Sequence, residues 1–303
     1  MAEVEAVAIE AAIGRAPNTF TRYWRATTRF LRTQPLGALG VAIIVIVVFA
    51  ALFADLITQH DPTATSVDIL ESPSGDHWLG TTRQGKDVYA RVVYGAQVSL
   101  QVGLATVLIS VIGGTALALL AGYFRGLIDQ GISRIADILI AFPSILFALT
   151  LATSLGKGLS TVVISISIIF TPVIMRIMRG AVLQQRESPY VEAARVLGAS
   201  EWRIIFRHLL PNLIGIAIVT ASATLPAAIL TESGLSFLGV GVDLGEPSWG
   251  GDLSGDARQF FQLAWWMAVF PGLALSFTVL AFNLLGDSLR DALDPRLRGT
   301  GVA

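Results

Sequence analysis

Along the 303 residues, apolar side chains gather into long blocks rather than short alternating runs. A bilayer core about 30 Å thick is crossed by roughly 20 residues rising 1.5 Å each, so stretches free of ionisable residues are the informative ones. Six occur, between Arg32 and Asp55, Arg91 and Arg125, Asp137 and Lys157, Lys157 and Arg176, Arg207 and Glu232, and Arg258 and Asp287. They predict spans over 36–57, 98–122, 136–155, 159–177, 212–231 and 265–285. The predicted fold class is an all-α integral membrane protein with six transmembrane helices.

Composition agrees. Hydrophobic side chains make up 53% and charged ones 14%, against about 25% charged in soluble domains, and the mean hydropathy is +0.67. A net charge of -1 argues against a nucleic-acid partner, which calls for concentrated Lys and Arg. The absence of cysteine removes a disulfide framework, a thiolate zinc site and a Cys nucleophile. The first apolar run begins at Leu36, after Arg22, Arg25, Arg29 and Arg32, and reads as an uncleaved anchor rather than a signal peptide.

Lys and Arg divide 16 against 5 between alternate loops. Basic loop residues stay on the cytoplasmic side, which places the N-terminal segment 1–35, the segment 188–211 and the tail 287–303 in the cytoplasm. Loops 58–97 and 233–264 then face outward. The first is punctuated by Pro62, Pro73, Gly75, Gly80 and Gly85 and is too short for a core of its own. The second, glycine-rich with Asp243, Glu246, Asp252 and Asp256, reads as an irregular cap. Gly114, Ala118 and Gly122 make one face of the second span smooth enough for close helix packing. Pro143, Pro172, Pro226 and Pro271 are expected to bend four spans.

Most enzymatic chemistry lacks its residues. "GTTRQGKD", Gly80 to Asp87, nearly matches the phosphate loop GxxxxGK[ST], but Asp87 stands where the magnesium-binding hydroxyl belongs and no buried strand precedes it. His60, His77 and His208 form no HExxH or other metal-ligand spacing along the sequence. No GxSxG elbow occurs, and the serines of spans four and five have no neighbouring acid for a base relay. A membrane hydrolase or an ion-driven carrier therefore lacks a supporting constellation. Asp55, Asp137, Arg176 and Glu232 fall near span ends, where an interfacial role is expected, and Arg134 and Asp137 are spaced as a local pair. Such a chain reads as a transporter energised from elsewhere.

The cytoplasmic stretch "VEAARVLGASEWRIIFRHLLPNLIG" carries the remaining signal. Ser188 followed by Pro189 starts a helix and Gly198 stops it. Ser200 starts a second, with Trp202, Ile205, Phe206 and Leu209 on an apolar side and Arg203 and Arg207 on a polar one; Pro211 is expected to bend it into span five. Periodicity leaves two readings open: a connector lying on the bilayer surface, or a helix seated in a groove of a soluble partner.

The stretch also fits a pattern of fixed spacing: Glu192, Ala193 and Ala194, three residues, Gly198, nine residues, then His208, Leu209, Leu210 and Pro211. It resembles the E-A-A…G…I-x-L-P segment of permease subunits of bacterial ATP-binding-cassette importers, with His208 at the isoleucine position. "HWLGTTRQGKDVYARVVYGAQVSL", "SFLGVGVDLGEPSWGGDL" and "AFNLLGDSLRDALDPRLRG" resemble the dipeptide and oligopeptide branch, in which Lys86 stands at an arginine position. The resemblance covers about residues 35–298. It implies the type I importer fold, with a permease domain over 98–286 and a bacterial cytoplasmic-membrane location. It also implies a homologous second permease, two ATPase subunits and an extracytoplasmic binding protein as partners. ATP and magnesium are then used by the ATPases, and this chain binds no cofactor. Glu192, Ala193, Ala194, Arg195, Gly198, Ala199, Ser200 and Pro211 become the ATPase-docking segment. Thr220, Ser222 and Thr224 are candidate path residues. Peptides are the implied cargo, with glutathione, nickel chelates and opines as related alternatives.

Overall fold

The computed structural model describes residues 34–156, 158–242 and 245–293. The expected cytoplasmic segment 1–33, the end of the tail from 294, and Asp243 lie outside the described residues.

Among the described residues the fold is helical and no strand forms. The helices are α1 (Pro35–Leu52), α2 (Ala54–Ile57), α3 (Val88–Phe124), α4 (Gly126–Ala141), α5 (Ser144–Leu155), α6 (Leu159–Arg186), α7 (Pro189–Val196), α8 (Glu201–Ile204), α9 (Leu210–Phe237), α10 (Trp249–Asp252), α11 (Asp256–Gln259) and α12 (Trp266–Leu293). A π turn, Ile205–Leu209, joins α8 to α9. Five stretches are long and apolar enough to cross a bilayer: α1, α3, α6, α12 and the continuous Glu201–Phe237. The bent pair α4 and α5 makes a sixth.

Two expected spans change shape. The second starts ten residues early, at Val88, because Asp87 caps it: the Asp87 Oδ1 accepts from the Ala90 N–H at 2.7 Å. The near match to a phosphate loop is thus a turn feeding a helix cap. The third, expected over 136–155, is two helices bent by 94°. Phe142, held extended ahead of Pro143 (φ -78°, ψ 140°), ends the first of them. Pro172, Pro226 and Pro271, by contrast, lie inside uninterrupted helices.

The core is built mainly on α3 against α6. Gly114 and Gly122 let Ile174 and Val182 approach so closely that an added Cβ would stand 2.9 Å and 2.8 Å from their side chains. Ala118 is fully buried beside them. Asp129 of α4 accepts from Arg179 of α6 through both carboxylate oxygens, at 2.5 and 2.6 Å. Asp137 pairs with Arg176 across the same helices, so its partner is not the neighbouring Arg134 that its spacing implied.

At the end of the bundle bearing the long loops, the two loops share a small core of Val88, Ala257, Ala264, Trp266 and Met267, with Leu70 and Leu79 packed on it. Arg91 holds this end together, donating to Asp252 and to the carbonyls of Pro62, Gly245 and Glu246. Burial pushes the Asp252 carboxyl above the usual carboxylate value, with Arg91 pulling the other way. Burial and then Arg91 lower Lys86 below the ordinary lysine value. Glu232, near the end of its span, faces the interior of the bundle rather than the surface. It is fully buried and accepts from Ser236 at 2.8 Å, Ser233 at 3.3 Å and Ser99 at 3.4 Å.

Candidate functional site

At the opposite end, α7 hangs between α6 and α8. Ser188 has the extended backbone of an N-cap, but its hydroxyl does not cap α7 and donates instead to the Gln185 carbonyl. Helix initiation falls to Pro189 at the first helical position. Ser200 likewise makes no side-chain cap, so α8 starts without one.

The stop of α7 is stereochemical. Gly198 has φ +78°, a left-handed conformation that a Cβ disfavours. The Ala199 N–H reaches back to the Ala194 carbonyl at 3.0 Å and the Gly198 N–H to the Arg195 carbonyl at 3.0 Å. These two bonds are a Schellman motif, which satisfies carbonyls that the helix end would leave free. A Cβ placed at Gly198 would meet nothing within 4 Å, so the constraint there is backbone conformation rather than space.

Burial divides the segment by face. Val191 and Ala194 point into the bundle and join a cluster with Tyr123, Met178, Val182 and Ile204. Glu192, Ala193, Arg195 and Gly198 are exposed, as are Val196 at 82% and Leu197 at 86%. Ala199 is half-buried, and Ser200 and Pro211 are exposed. An isopropyl and an isobutyl side chain standing this far out beside the exposed Glu192 make a small mixed apolar and acidic face at the tip of the bundle.

Tyr123, at the end of α3, ties this tip to the spans and was not anticipated from the sequence. Its hydroxyl contacts the Glu201 carboxylate, Arg195 donates to it at 3.5 Å, and Arg186 lies 5.7 Å from its ring centroid. The only sequence signal was an aromatic with a polar tip at the close of an apolar run.

The second helix departs from its expected amphipathic division. Ile204, Ile205 and Leu209 are buried, whereas Trp202 and Phe206 stack on each other at 6.0 Å and face outward, with Phe124 edge-on to Trp202. The buried side is centred on Ile204 and Ile205, leaving the two aromatics at its margin. Nor does the chain break at Pro211. The π turn carries the Leu210 N–H to the Ile205 carbonyl, widening the helix ahead of the proline ring, and the Asn212 side chain donates to the His208 carbonyl at 2.6 Å.

In α9, Thr220 is buried, Thr224 donates to the Thr220 carbonyl at 2.7 Å and Ser222 to the Val219 carbonyl at 2.9 Å. Ser222 also lies against Gly286 of α12. Thr220 and Thr224, four apart, share one face of the helix and Ser222 lies on another, so the three do not spread evenly around it, and two of the hydroxyls are turned to the backbone.

Residues 114–299 match the family described as binding-protein-dependent transport system inner membrane component, and residues 22–73 match the N-terminal TM domain of oligopeptide transport permease C. The chain is 43% identical to a dipeptide transport system permease protein, DppC, of Alkalihalophilus pseudofirmus, over 91% of this chain and 90% of that protein. It is 40% identical to a glutathione transport system permease protein, GsiD, of Pectobacterium atrosepticum, over 91% of each. A chain of the MetNI methionine ABC transporter, solved in an inward-facing conformation, shares the fold with a TM-score of 0.55 at 18% identity, over 67% of this chain and 96% of that one. An exposed, glycine-stopped helix between two spans is therefore set in a chain that belongs to the binding-protein-dependent transport system inner membrane components, a multi-pass transport subunit of the bacterial inner membrane.

Proposed function

We propose that this chain is the permease subunit of an ATP-driven peptide importer. It forms the translocation path with a homologous second permease, receives substrate from an extracytoplasmic binding protein, and is driven by two ATPase subunits. ATP and magnesium act in those ATPases, and no cofactor is assigned to this chain. Both termini and α7 lie on the cytoplasmic side, as the distribution of Lys and Arg supports. The observation that carries the reading is the placement of Glu192, Arg195, Val196 and Leu197 on the exposed face of a helix whose other face is anchored by Val191 and Ala194. An element built this way transmits a push to the spans instead of bending away. Thr220, Ser222 and Thr224 are retained as path residues. The dipeptide and glutathione relatives support small peptides as the cargo class.

The test is uptake and ATP hydrolysis measured together in vesicles containing the complete transporter. Glu192→Lys combined with Gly198→Val is expected to abolish peptide uptake while the chain remains in the membrane. Unchanged, coupled uptake would remove the docking assignment. Transport by this chain alone, persisting after ATP depletion, would establish an ion-coupled carrier instead.

A further inference from the structure

His60, His77 and Asp87 all belong to the connection between α2 and α3 and converge at the end of the bundle that bears the long loops. His60 follows α2, His77 sits in the loop, and Asp87 caps α3. The Asp87 Oδ2 is 2.8 Å from the His77 Nδ1 and 3.7 Å from the His60 Nδ1, and the two imidazole rings are 4.8 Å apart. The three ligand atoms all lie within 4.8 Å of one another. His77 and Asp87 are buried, whereas the His60 side chain is 42% exposed and walls a cavity of about 10 Å³ shared with Trp78 and Tyr89.

We propose that His60, His77 and Asp87 bind one divalent transition-metal ion of the zinc class, with a further coordination position open toward His60's exposed side. Two imidazoles and a carboxylate are a donor set that suits such borderline cations. Ligands about 2.0–2.2 Å from a tetrahedral ion stand roughly 3.3 Å apart. The observed separations of 2.8 and 3.7 Å straddle that value, so each changes by about half an ångström on binding.

The surroundings are acidic. The Asp87 Oδ1 is already engaged by the Ala90 N–H, leaving Oδ2 to face both imidazoles. The His77 Nε2 faces the Asp68 carboxylate at 3.9 Å, and Glu71 belongs to the same group. The 2.8 Å contact between the His77 Nδ1 and the Asp87 Oδ2 is of hydrogen-bond length, whereas the 3.9 Å to Asp68 is not. On binding, the cation takes the place of the proton in the Nδ1–Oδ2 contact. A carboxylate behind the distal nitrogen is the usual way a metal-binding histidine is oriented.

The test uses the full-length chain, purified through a tag without histidine and placed in nanodiscs, titrated with ZnCl2 by calorimetry. One ion per chain is expected, and His60→Ala is expected to weaken binding at least about tenfold, the loss that even an outer partner of a metal ligand produces. His60 is chosen because it is the exposed member and its loss spares the buried Asp87 cap. His208→Ala, at the other end of the bundle, is expected to bind as the parent does. Zinc is also expected to raise the melting temperature of the parent but not of His60→Ala, and Co2+ to give tetrahedral absorption bands. Equal zinc binding by the parent and His60→Ala, or no saturable binding by the parent, would overturn the site and leave His77 hydrogen-bonded to Asp87.

Discussion

The Arg91 guanidinium donates to the Asp252 carboxylate at 2.7 Å across 161 residues of chain, and both side chains are withdrawn from solvent. Removing one partner of such a pair strands the other, at a cost of about 3–5 kcal/mol. Arg91→Met is therefore expected to lower the melting temperature sharply in detergent. Arg91→Lys is expected to rescue only part of the loss, because an ammonium cannot reach Asp252 and three carbonyls together as a planar guanidinium does. A double Arg91→Met, Asp252→Leu variant is expected to be more stable than Arg91→Met alone.

Two adjacent glycines in α3 are expected to behave differently. At Gly114 a new Cβ meets Ile174 at 2.9 Å, and at Gly113 the nearest atom is 3.6 Å away on Thr171. Gly114→Ala is expected to destabilise by roughly 1–3 kcal/mol through overpacking. Gly113→Ala is expected to be neutral or stabilising, since alanine favours the helix by about 1 kcal/mol. Thermal unfolding of the two variants checks the contrast.

Glu232 supplies a comparison of shape with polarity. Glu232→Gln keeps an acceptor for hydroxyls of Ser99, Ser233 and Ser236 and is expected to fold and insert like the parent. Glu232→Leu removes the acceptor and leaves buried hydroxyls without it, at about 1–3 kcal/mol. Equal melting temperatures for the two variants would contradict the hydrogen-bonded role.

The absence of native cysteine makes single-cysteine labelling direct. In right-side-out vesicles a membrane-impermeant maleimide is expected to label Asp76→Cys and to spare Leu197→Cys until the membrane is opened. Leu197→Cys is further expected to crosslink to an ATPase subunit in the assembled transporter, whereas buried Val191→Cys is not. Labelling of Leu197→Cys from outside, with Asp76→Cys spared, would reverse the proposed topology.

The spans were legible because uninterrupted apolar runs have few alternatives, and the stop at Gly198 because few residues tolerate its conformation. Asp87 as a helix cap was hidden by its resemblance to a phosphate loop, although Asp at a helix start is itself a cap signal. The bend at Pro143 was visible as a proline, but Pro172 looks the same in sequence and lies in an uninterrupted helix; neighbouring helices decide between them. Glu232 lay at the edge of an apolar run, and only the packing of α3 beside α9 brought Ser99 to it. Arg91 and Asp252 carry no local signal of partnership, since their meeting depends on two loops folding onto each other. The exposed placement of Trp202 and Phe206 was missed because both belong to an apolar stripe whose centre lies on Ile204 and Ile205.

The unbroken helix from Glu201 to Phe237 has 37 residues, so its length is about 55 Å at 1.5 Å per residue. That makes it a lever spanning the bilayer, with Glu201 and Tyr123 at one end and the buried Glu232 at the other. Tilting it by 5° about one end carries the other end through about 5 Å, nearly the pitch of a helix. Under the docking proposed for α7, a tilt of a few degrees delivered beside Glu201 therefore moves the Glu232 end by ångströms.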